Sequence, residues 1–184
     1  MFIRNKRFLT LIGALMFIAL LAGSVTSPQN AHAARSFAAV PLYRLYSPVA
    51  TDHFYTTNAA ERDNAMVHLG YTYEGVAACI GDMPGGGLVP LFRLYSPGGK
   101  DHFYTTNAAE RDNAASALGY TYEGIAGYVA PDAAPGLIPF FRGYQPDSVD
   151  HFYTASAPEF QNAVDRLGYH NEGVVGWVLP AADC

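Results

Sequence analysis

The sequence Asp52-His53-Phe54-Tyr55-Thr56 occurs three times in this chain, at residues 52–56, 101–105 and 150–154, so each copy begins 49 residues after the previous one. A fixed period of this length is typical of repeat architectures, in which one supersecondary unit recurs and packs against its copies. The period predicts three tandem repeats, which span residues 41–89, 90–138 and 139–184.

The first part of each repeat is typical of a β-hairpin. In the first copy, residues 42–46 (Leu-Tyr-Arg-Leu-Tyr) are aromatic and branched, which favours a strand. Ser47-Pro48 ends this strand, because serine and proline favour a turn. Residues 53–57 follow within the reach of a hairpin and are the predicted second strand.

A helix and a third strand complete the unit. Asn58 is followed three residues later by Glu61, which is the spacing of a capping box, in which both side chains satisfy free N–H groups at a helix start. The predicted helix ends near Leu69, because Gly70 can adopt the left-handed conformation that commonly caps a helix. Residues 71–80 are the predicted third strand, so each repeat is β-β-α-β.

Three such units cannot each bury a helix face and both sides of a small sheet alone. Packing around a common pseudo-threefold axis solves this, and residues 34–184 suffice for one ordinary core. The predicted fold class is therefore α+β, with three tandem β-β-α-β repeats packed with pseudo-threefold symmetry into one domain. The alternatives are a β-trefoil, which is essentially all strand and disagrees with the capping boxes, and an open solenoid.

Residues 1–33 have the three-part layout of a secretory signal peptide. Basic residues at positions 4, 6 and 7 precede an apolar run over residues 8–22. Ala31 and Ala33 are small residues on either side of His32, and they suit cleavage after residue 33. The apolar run is shorter than the roughly 20 residues that cross a bilayer. We therefore expect a secreted, extracellular chain without a membrane span after cleavage.

The charge balance excludes some classes of partner. Three of the 11 Lys and Arg residues lie in the predicted signal peptide, so the mature chain would carry 8 basic and 16 acidic residues. An acidic chain of this kind is a poor partner for nucleic acid or anionic lipid.

The chain has two cysteines, Cys79 and Cys184. Because an exported chain meets an oxidising setting, a disulfide between them is favoured, and it would tie the last residue to the first repeat. The alternative is one buried thiol and one free terminal thiol.

The hairpin of each repeat supplies the candidate ligand-binding residues. Alternation along the second strand sends Phe54 to the core and leaves His53 and Tyr55 toward a groove or toward the interface between repeats. Arg44 and Tyr46 share a face of the neighbouring strand. Such a mixture suits sugar recognition, since aromatic faces stack on sugar rings and polar groups bind hydroxyls. The candidates in the three copies are Arg44, Tyr46, His53, Tyr55, Arg93, Tyr95, His102, Tyr104, Arg142, Tyr144, His151 and Tyr153.

A purely structural interpretation of these residues is the alternative. In it, Asp52 orients its turn, His53 is a satisfied structural histidine, and Arg44 pairs with Glu74 or Glu61, because buried polar groups must be paired. Asn64, near the inward face of the helix, is interpreted as a structural side chain that bonds a backbone group.

A metal site or an active site is a weaker prediction. Convergence of His53, His102 and His151 on the axis would resemble a known zinc arrangement. It depends on an unseen axis, so we expect neither a metal nor another cofactor. Catalytic motifs such as Gly-x-Ser-x-Gly and His-Glu-x-x-His do not occur. Glu61 and Glu74 could form a carboxylate pair, but the capping role already explains Glu61.

The pattern of residues 42–46, residues 52–57 and Leu-Gly-Tyr-Thr-Tyr-Glu-Gly-Ile-Ala (118–126) resembles a family of tandem repeats found in secreted bacterial and some fungal proteins. The resemblance covers residues 41–178. In that family the module occurs alone or appended to extracellular hydrolases and peptidases, which implies an extracellular accessory or binding role and brings no catalytic residues. The third repeat departs from the pattern at Gly143, Gln145, His170 and Asn171.

The predicted function is therefore that of a secreted, non-catalytic and monomeric binding module for carbohydrate or cell-wall glycan. Up to three similar weak sites would act through avidity. The alternative is a structural or protein-binding module, including an inhibitor of a secreted hydrolase, in which all recurring residues serve the fold. A small hydrolase is the third and weakest candidate.

Overall fold

Three β-β-α-β units follow one another in the computed structural model, which describes residues 38–184. The first unit contains β1 (Ala39–Ser47), β2 (Asp52–Thr56), α1 (Ala59–His68) and β3 (Thr72–Gly81). The second contains β4 (Val89–Ser96), β5 (Asp101–Thr105), α2 (Ala108–Ala117) and β6 (Thr121–Val129). The third contains β7 (Ile138–Gln145), β8 (Asp150–Thr154), α3 (Ala157–Arg166) and β9 (His170–Val178), followed by a 3-10 helix (Ala181–Asp183). The α+β class and the order of elements are confirmed.

The predicted signal peptide, residues 1–33, lies outside the described residues. Among the helices of the described part, none is long and apolar enough to cross a membrane.

The helix starts follow the prediction only in part. Asn58 Oδ1 accepts hydrogen bonds from the N–H groups of Ala60 and Glu61, as an N-cap residue does. The other half of the capping box is absent, because the Asn58 N–H donates to Thr56 Oγ1 at 3.0 Å. Glu61 is thereby free to turn toward the next unit.

The units are joined through the ends of their third strands. Within each unit the first strand lies between the other two in antiparallel pairing, and β3 and β6 unite two units into a six-stranded sheet. The joining pairs are Gly81 with Tyr128, Ala130 with Trp177, and Leu179 with Cys79. These pairs are equivalent at the repeat offset, so contacts run from the first unit to the second, from the second to the third, and from the third back to the first.

Two kinds of core bury the apolar side chains. The central core takes equivalent positions from all three units: Leu42, Leu91 and Phe140; Tyr55, Tyr104 and Tyr153; Ile80, Val129 and Val178. A smaller core in the first unit contains Leu45, Phe54 and Ala65 of α1. Phe54 and Tyr55 point to opposite faces of β2 and are both buried, because each face of the strand meets a different core.

Cys79 and Cys184 form the predicted disulfide, with their Cα atoms 5.5 Å apart. The bond lies next to the backbone pair between Cys79 and Leu179. It therefore links the end of the third unit covalently to β3 of the first.

Candidate functional site

The recurring tyrosines hydrogen-bond the backbone groups at the free edges of the second strands. β2 is an edge strand, and the Tyr55 N–H donates to Tyr104 Oη at 2.8 Å. The same hydroxyl donates to the Tyr55 carbonyl at 2.7 Å. The Tyr153 hydroxyl makes the same two hydrogen bonds with the backbone N–H and carbonyl of Tyr104, and the Tyr55 hydroxyl makes them with those of Tyr153. An edge strand with unpaired backbone groups invites pairing with another chain, and here a neighbouring unit satisfies those groups.

These tyrosines were predicted ligand contacts that would lie toward a groove or an interface, and the structure places them at the interface. Tyr55, Tyr104 and Tyr153 are no more than 1% exposed. Their rings meet edge to face, with centroids 5.4 to 5.5 Å apart. Burial raises the pKa of each hydroxyl well above its usual value, so the hydroxyls remain neutral donors. These side chains offer no surface to a ligand.

The recurring aspartates bind the next unit instead of orienting only their own turn. The buried Asp52 carboxylate accepts from the His102 N–H at 2.8 Å and from His102 Nδ1 at 2.6 Å. Tyr71 of the first unit donates its hydroxyl to the same carboxylate at 2.5 Å. Asp101 accepts the equivalent hydrogen bonds from His151 and Tyr120, and Asp150 accepts them from His53 and Tyr169.

The histidines do not form the zinc arrangement that convergence on the axis would give. Nδ1 of His53, His102 and His151 is in each case bonded to an aspartate of the preceding unit. The groups that converge are carboxylates, since one oxygen of each of Asp52, Asp101 and Asp150 lies within 4.8 Å of the others. These carboxylates already accept three hydrogen bonds each, from a backbone N–H, an imidazole and a phenol.

The recurring arginines complete the interface. Arg44 makes a bidentate pair with Glu159 of the third unit, at 2.9 and 3.1 Å. Its Nε lies 2.9 Å from Glu74 of its own unit, without the geometry of a hydrogen bond. The guanidinium lies over Phe152 at 5.4 Å. Of the two predicted partners of Arg44, Glu74 lies beside it, whereas Glu61 pairs with Arg93 of the second unit; the equivalent of Glu61 in the third unit, Glu159, pairs with Arg44. Arg93 and Arg142 repeat the pattern with Glu61 and Glu123, and with Glu110 and Glu172.

The half-buried tyrosine of the first strand packs against the histidine. Tyr46 and His53 have ring centroids 4.7 Å apart, and Tyr95 and Tyr144 repeat the contact with His102 and His151. Most of the predicted site residues therefore contact one another or a residue of a neighbouring unit.

Three equivalent clefts remain open at the interfaces between units, and we call them the interface clefts. Their volumes are about 190 Å³ between the third and first units, 190 Å³ between the first and second, and 220 Å³ between the second and third. In the second of these, Glu61, Asn64 and Leu69 come from the first unit, whereas Arg93 and His102 come from the second. Each cleft is thus composite, built by two repeats.

Asn64 is the cleft residue that the sequence interpretation missed. It was expected to bond a backbone group, yet its amide is exposed and makes no hydrogen bond within residues 38–184. Asn113 and Asn162 occupy the equivalent places in the other clefts. The available signal was that this asparagine recurs in all three copies.

A separate apolar cleft lies where the third strands meet. Its volume is about 260 Å³, and its lining includes Tyr128, Trp177 and Cys79, which share one repeat position, together with Leu88 and Leu137. The aromatic pair therefore borders a surface recess.

The arginine–glutamate ion pairs between units predict a pH dependence of stability. Burial alone would raise the pKa of Glu61, but hydrogen bonds from Arg93 and Thr56 outweigh it, so this pKa lies below its usual value of 4.5. A carboxylate of this kind adds stability that is present above about pH 4.5 and is lost as the pH falls through the folded-state pKa. Glu61→Gln should therefore lower the free energy of unfolding at pH 7 and lower it less at pH 3, as measured by denaturant titration.

The control for this prediction is Asp63→Asn, which changes an exposed carboxylate on the same helix. We expect its effect to be small at both pH values. An effect of Glu61→Gln that is equal at pH 7 and pH 3 would contradict a charged bridge.

The fold and its clefts define a class of protein: an α+β module of three β-β-α-β units with composite clefts at the unit interfaces. The chain belongs to the family described as Domain of unknown function (DUF5648), whose family model matches residues 41–179. Neither a curated protein nor a solved structure matches the chain.

Proposed function

We propose that this chain is a secreted, non-catalytic binding module that recognises carbohydrate, such as a cell-wall glycan, through three similar sites in the interface clefts. We further propose that a pseudo-threefold axis through Tyr55, Tyr104 and Tyr153 relates the three units. The cyclic order of the hydrogen bonds among these tyrosines supports the axis.

The observation that carries the proposal is an exposed pair of recurring residues in each cleft. Asn64 and Leu69 occur in all three copies, and both line the cleft between the first and second units. Leu69, Leu118 and Leu167 are 60%, 61% and 56% exposed. An amide that can donate and accept, beside an apolar side chain, matches a sugar ring, which has hydroxyls at its rim and an apolar face.

The size and charge of the clefts restrict the ligand. Volumes of 190 to 220 Å³ are below the roughly 300–1,000 Å³ of sites for drug-sized ligands, so each cleft suits one sugar ring. The arginine of each cleft is already paired with two glutamates, which disfavours an anionic ligand. A single ring gives weak binding, and three clefts on one module would raise it through avidity on a repetitive polymer.

The proposal predicts that removing the three amides weakens binding without harming the fold. In the triple variant Asn64→Ala, Asn113→Ala and Asn162→Ala, each cleft loses one or two hydrogen bonds worth about 1 kcal/mol each, so apparent affinity should fall at least about tenfold. Alanine is a better helix former than asparagine, so thermal stability should not fall. Binding is measured on an array of bacterial and fungal cell-wall glycans.

The matched control lies one position earlier on the same three helices. Asp63→Ala, Asp112→Ala and Gln161→Ala change exposed side chains that do not line the clefts. This variant should bind like the wild type. Absence of wild-type binding to any glycan, or equal binding by both triple variants, would refute the proposal.

The second candidate function is a structural or protein-binding module, and the apolar cleft favours it. Tyr128, Trp177, Leu88 and Leu137 could hold an apolar side chain of a partner protein. In this case Trp177→Ala would weaken capture of a secreted hydrolase, while the triple asparagine variant would not.

A further inference from the structure

The three interfaces differ at one position, where two repeats have a threonine and the third has an alanine. Thr57 Oγ1 donates to the Ala126 carbonyl of the second unit at 3.0 Å, and Thr106 Oγ1 donates to the Val175 carbonyl of the third unit at 2.8 Å. The equivalent residue of the third repeat is Ala155. The Ala77 carbonyl, which is the corresponding acceptor in the first unit, therefore lacks this hydroxyl donor.

A cavity lies at this position. It has a volume of about 300 Å³, and both Ala77 and Ala155 line it, so we call it the Ala155 cavity. Ile138 and the C-terminal residues Pro180 and Ala181 form part of its apolar wall. Its volume is at the lower limit of ordinary ligand sites, roughly 300–1,000 Å³, and exceeds that of each interface cleft.

The polar groups of the cavity include both hydrogen-bond acceptors and donors. The guanidinium of Arg44 is engaged by Glu159 and Glu74. The Thr154 hydroxyl donates to Glu159, whereas Ser156 Oγ accepts from the Glu159 N–H and can still donate through its own O–H. The Ala77 carbonyl and the remaining lone pairs of the two glutamates are left as acceptors, because a carbonyl or carboxylate oxygen can accept more than one hydrogen bond. A ligand hydroxyl can both donate and accept, so a molecule with several hydroxyl groups fits these groups.

We propose that the Ala155 cavity is a fourth binding site, restricted to the interface of the third and first units, for a small neutral molecule with several hydroxyl groups, such as one sugar ring or a polyol. One ligand hydroxyl takes the place of the threonine hydroxyl and donates to the Ala77 carbonyl. The apolar wall of Ile138 and Pro180 packs against the carbon skeleton. The Ala155 cavity and the adjacent interface cleft share Arg44, Glu74 and Glu159. Residue 155 lines only the cavity and Asn162 only the cleft, so variants at these two positions test the two sites separately.

The test fills the cavity with the side chain that the other repeats have. Ala155→Thr should fold, because threonine occupies both equivalent positions, and its hydroxyl should bond the Ala77 carbonyl. The probes are glucose, N-acetylglucosamine and inositol, each titrated to 100 mM while backbone amide NMR shifts are followed. In the wild type, the amides of Ala77 and Ala155 should shift on binding, and Ala155→Thr should weaken this binding at least tenfold.

Two further measurements fix the interpretation. The triple asparagine variant should leave the response of Ala77 unchanged, which separates this site from the interface clefts. Thr57→Ala should open the equivalent space and add a response at Ala126. The proposal is overturned if no probe shifts Ala77 in the wild type, if Ala155→Thr binds as the wild type does, or if only an amine probe such as cyclohexylamine binds.

Discussion

Replacement of Asp52 by alanine is expected to lower the free energy of unfolding by about 3–5 kcal/mol. Asp52 is fully buried and accepts hydrogen bonds from the His102 N–H, from His102 Nδ1 and from the Tyr71 hydroxyl. The variant leaves these three donors without their partner in the interior. Because ordinary domains are stable by only about 5–15 kcal/mol, the loss should be visible as a large shift of the denaturation midpoint.

Asp63→Ala is the control for this prediction, since Asp63 is an exposed aspartate whose one ion pair among residues 38–184 is with its neighbour Arg62. Its effect should be within about 0.5 kcal/mol. If Asp52→Ala unfolds at the same denaturant concentration as the control, the carboxylate does not join the first and second units.

Tyr104→Phe is expected to lower the free energy of unfolding by about 2–6 kcal/mol. The hydroxyl of Tyr104 both accepts from the Tyr55 N–H and donates to the Tyr55 carbonyl, so its removal leaves two buried backbone groups unpaired. Each such group costs about 1–3 kcal/mol. The ring is retained, so its edge-to-face contacts with Tyr55 and Tyr153 persist and the measurement reports the hydroxyl alone.

Tyr122→Phe is the matched control, because Tyr122 is 44% exposed and its hydroxyl makes no hydrogen bond within the described residues. It should change the free energy of unfolding by less than about 0.5 kcal/mol. Equal stability of the two variants would mean that water, and not the hydroxyl of Tyr104, satisfies the edge of β2.

Features that depend on neighbouring residues could be predicted from the sequence. Asn58 caps α1 because an N-cap needs only a side chain and the next two or three N–H groups. Gly70 follows the helix with φ of 76°, the left-handed region that glycine tolerates. The period itself predicts that whatever holds for one unit holds approximately for the other two.

Features that depend on which unit meets which could not be predicted in this way. Arg44 has a glutamate partner in its own unit and another in the third, 115 residues away, and a repeat pattern does not say which copy is the neighbour. Strand alternation separated Phe54 from Tyr55 correctly, but it left open whether Tyr55 faces a groove or another repeat. The structure has a core on both faces of β2, so Tyr55 is interior.

The same reasoning explains why the candidate site shifted. Arg44, His53 and Tyr55 stood out because polar and aromatic residues recur there, and interface pairing accounts for that recurrence. Asn64 did not stand out, since a helical asparagine has many ordinary explanations. It became a candidate only when its exposure and its place in a composite cleft were known.

The central claim is that tyrosine and aspartate side chains of the three Asp-His-Phe-Tyr-Thr blocks hydrogen-bond the free backbone edges of β2, β5 and β8. Backbone amide hydrogen exchange, followed by NMR, tests it most directly. The N–H groups of Tyr55, Tyr104 and Tyr153 bond tyrosine hydroxyls, and those of His53, His102 and His151 bond aspartates. We expect all six to exchange only through global unfolding. Exchange as fast as that of the surface-loop glycines at residues 85–87 would contradict the claim.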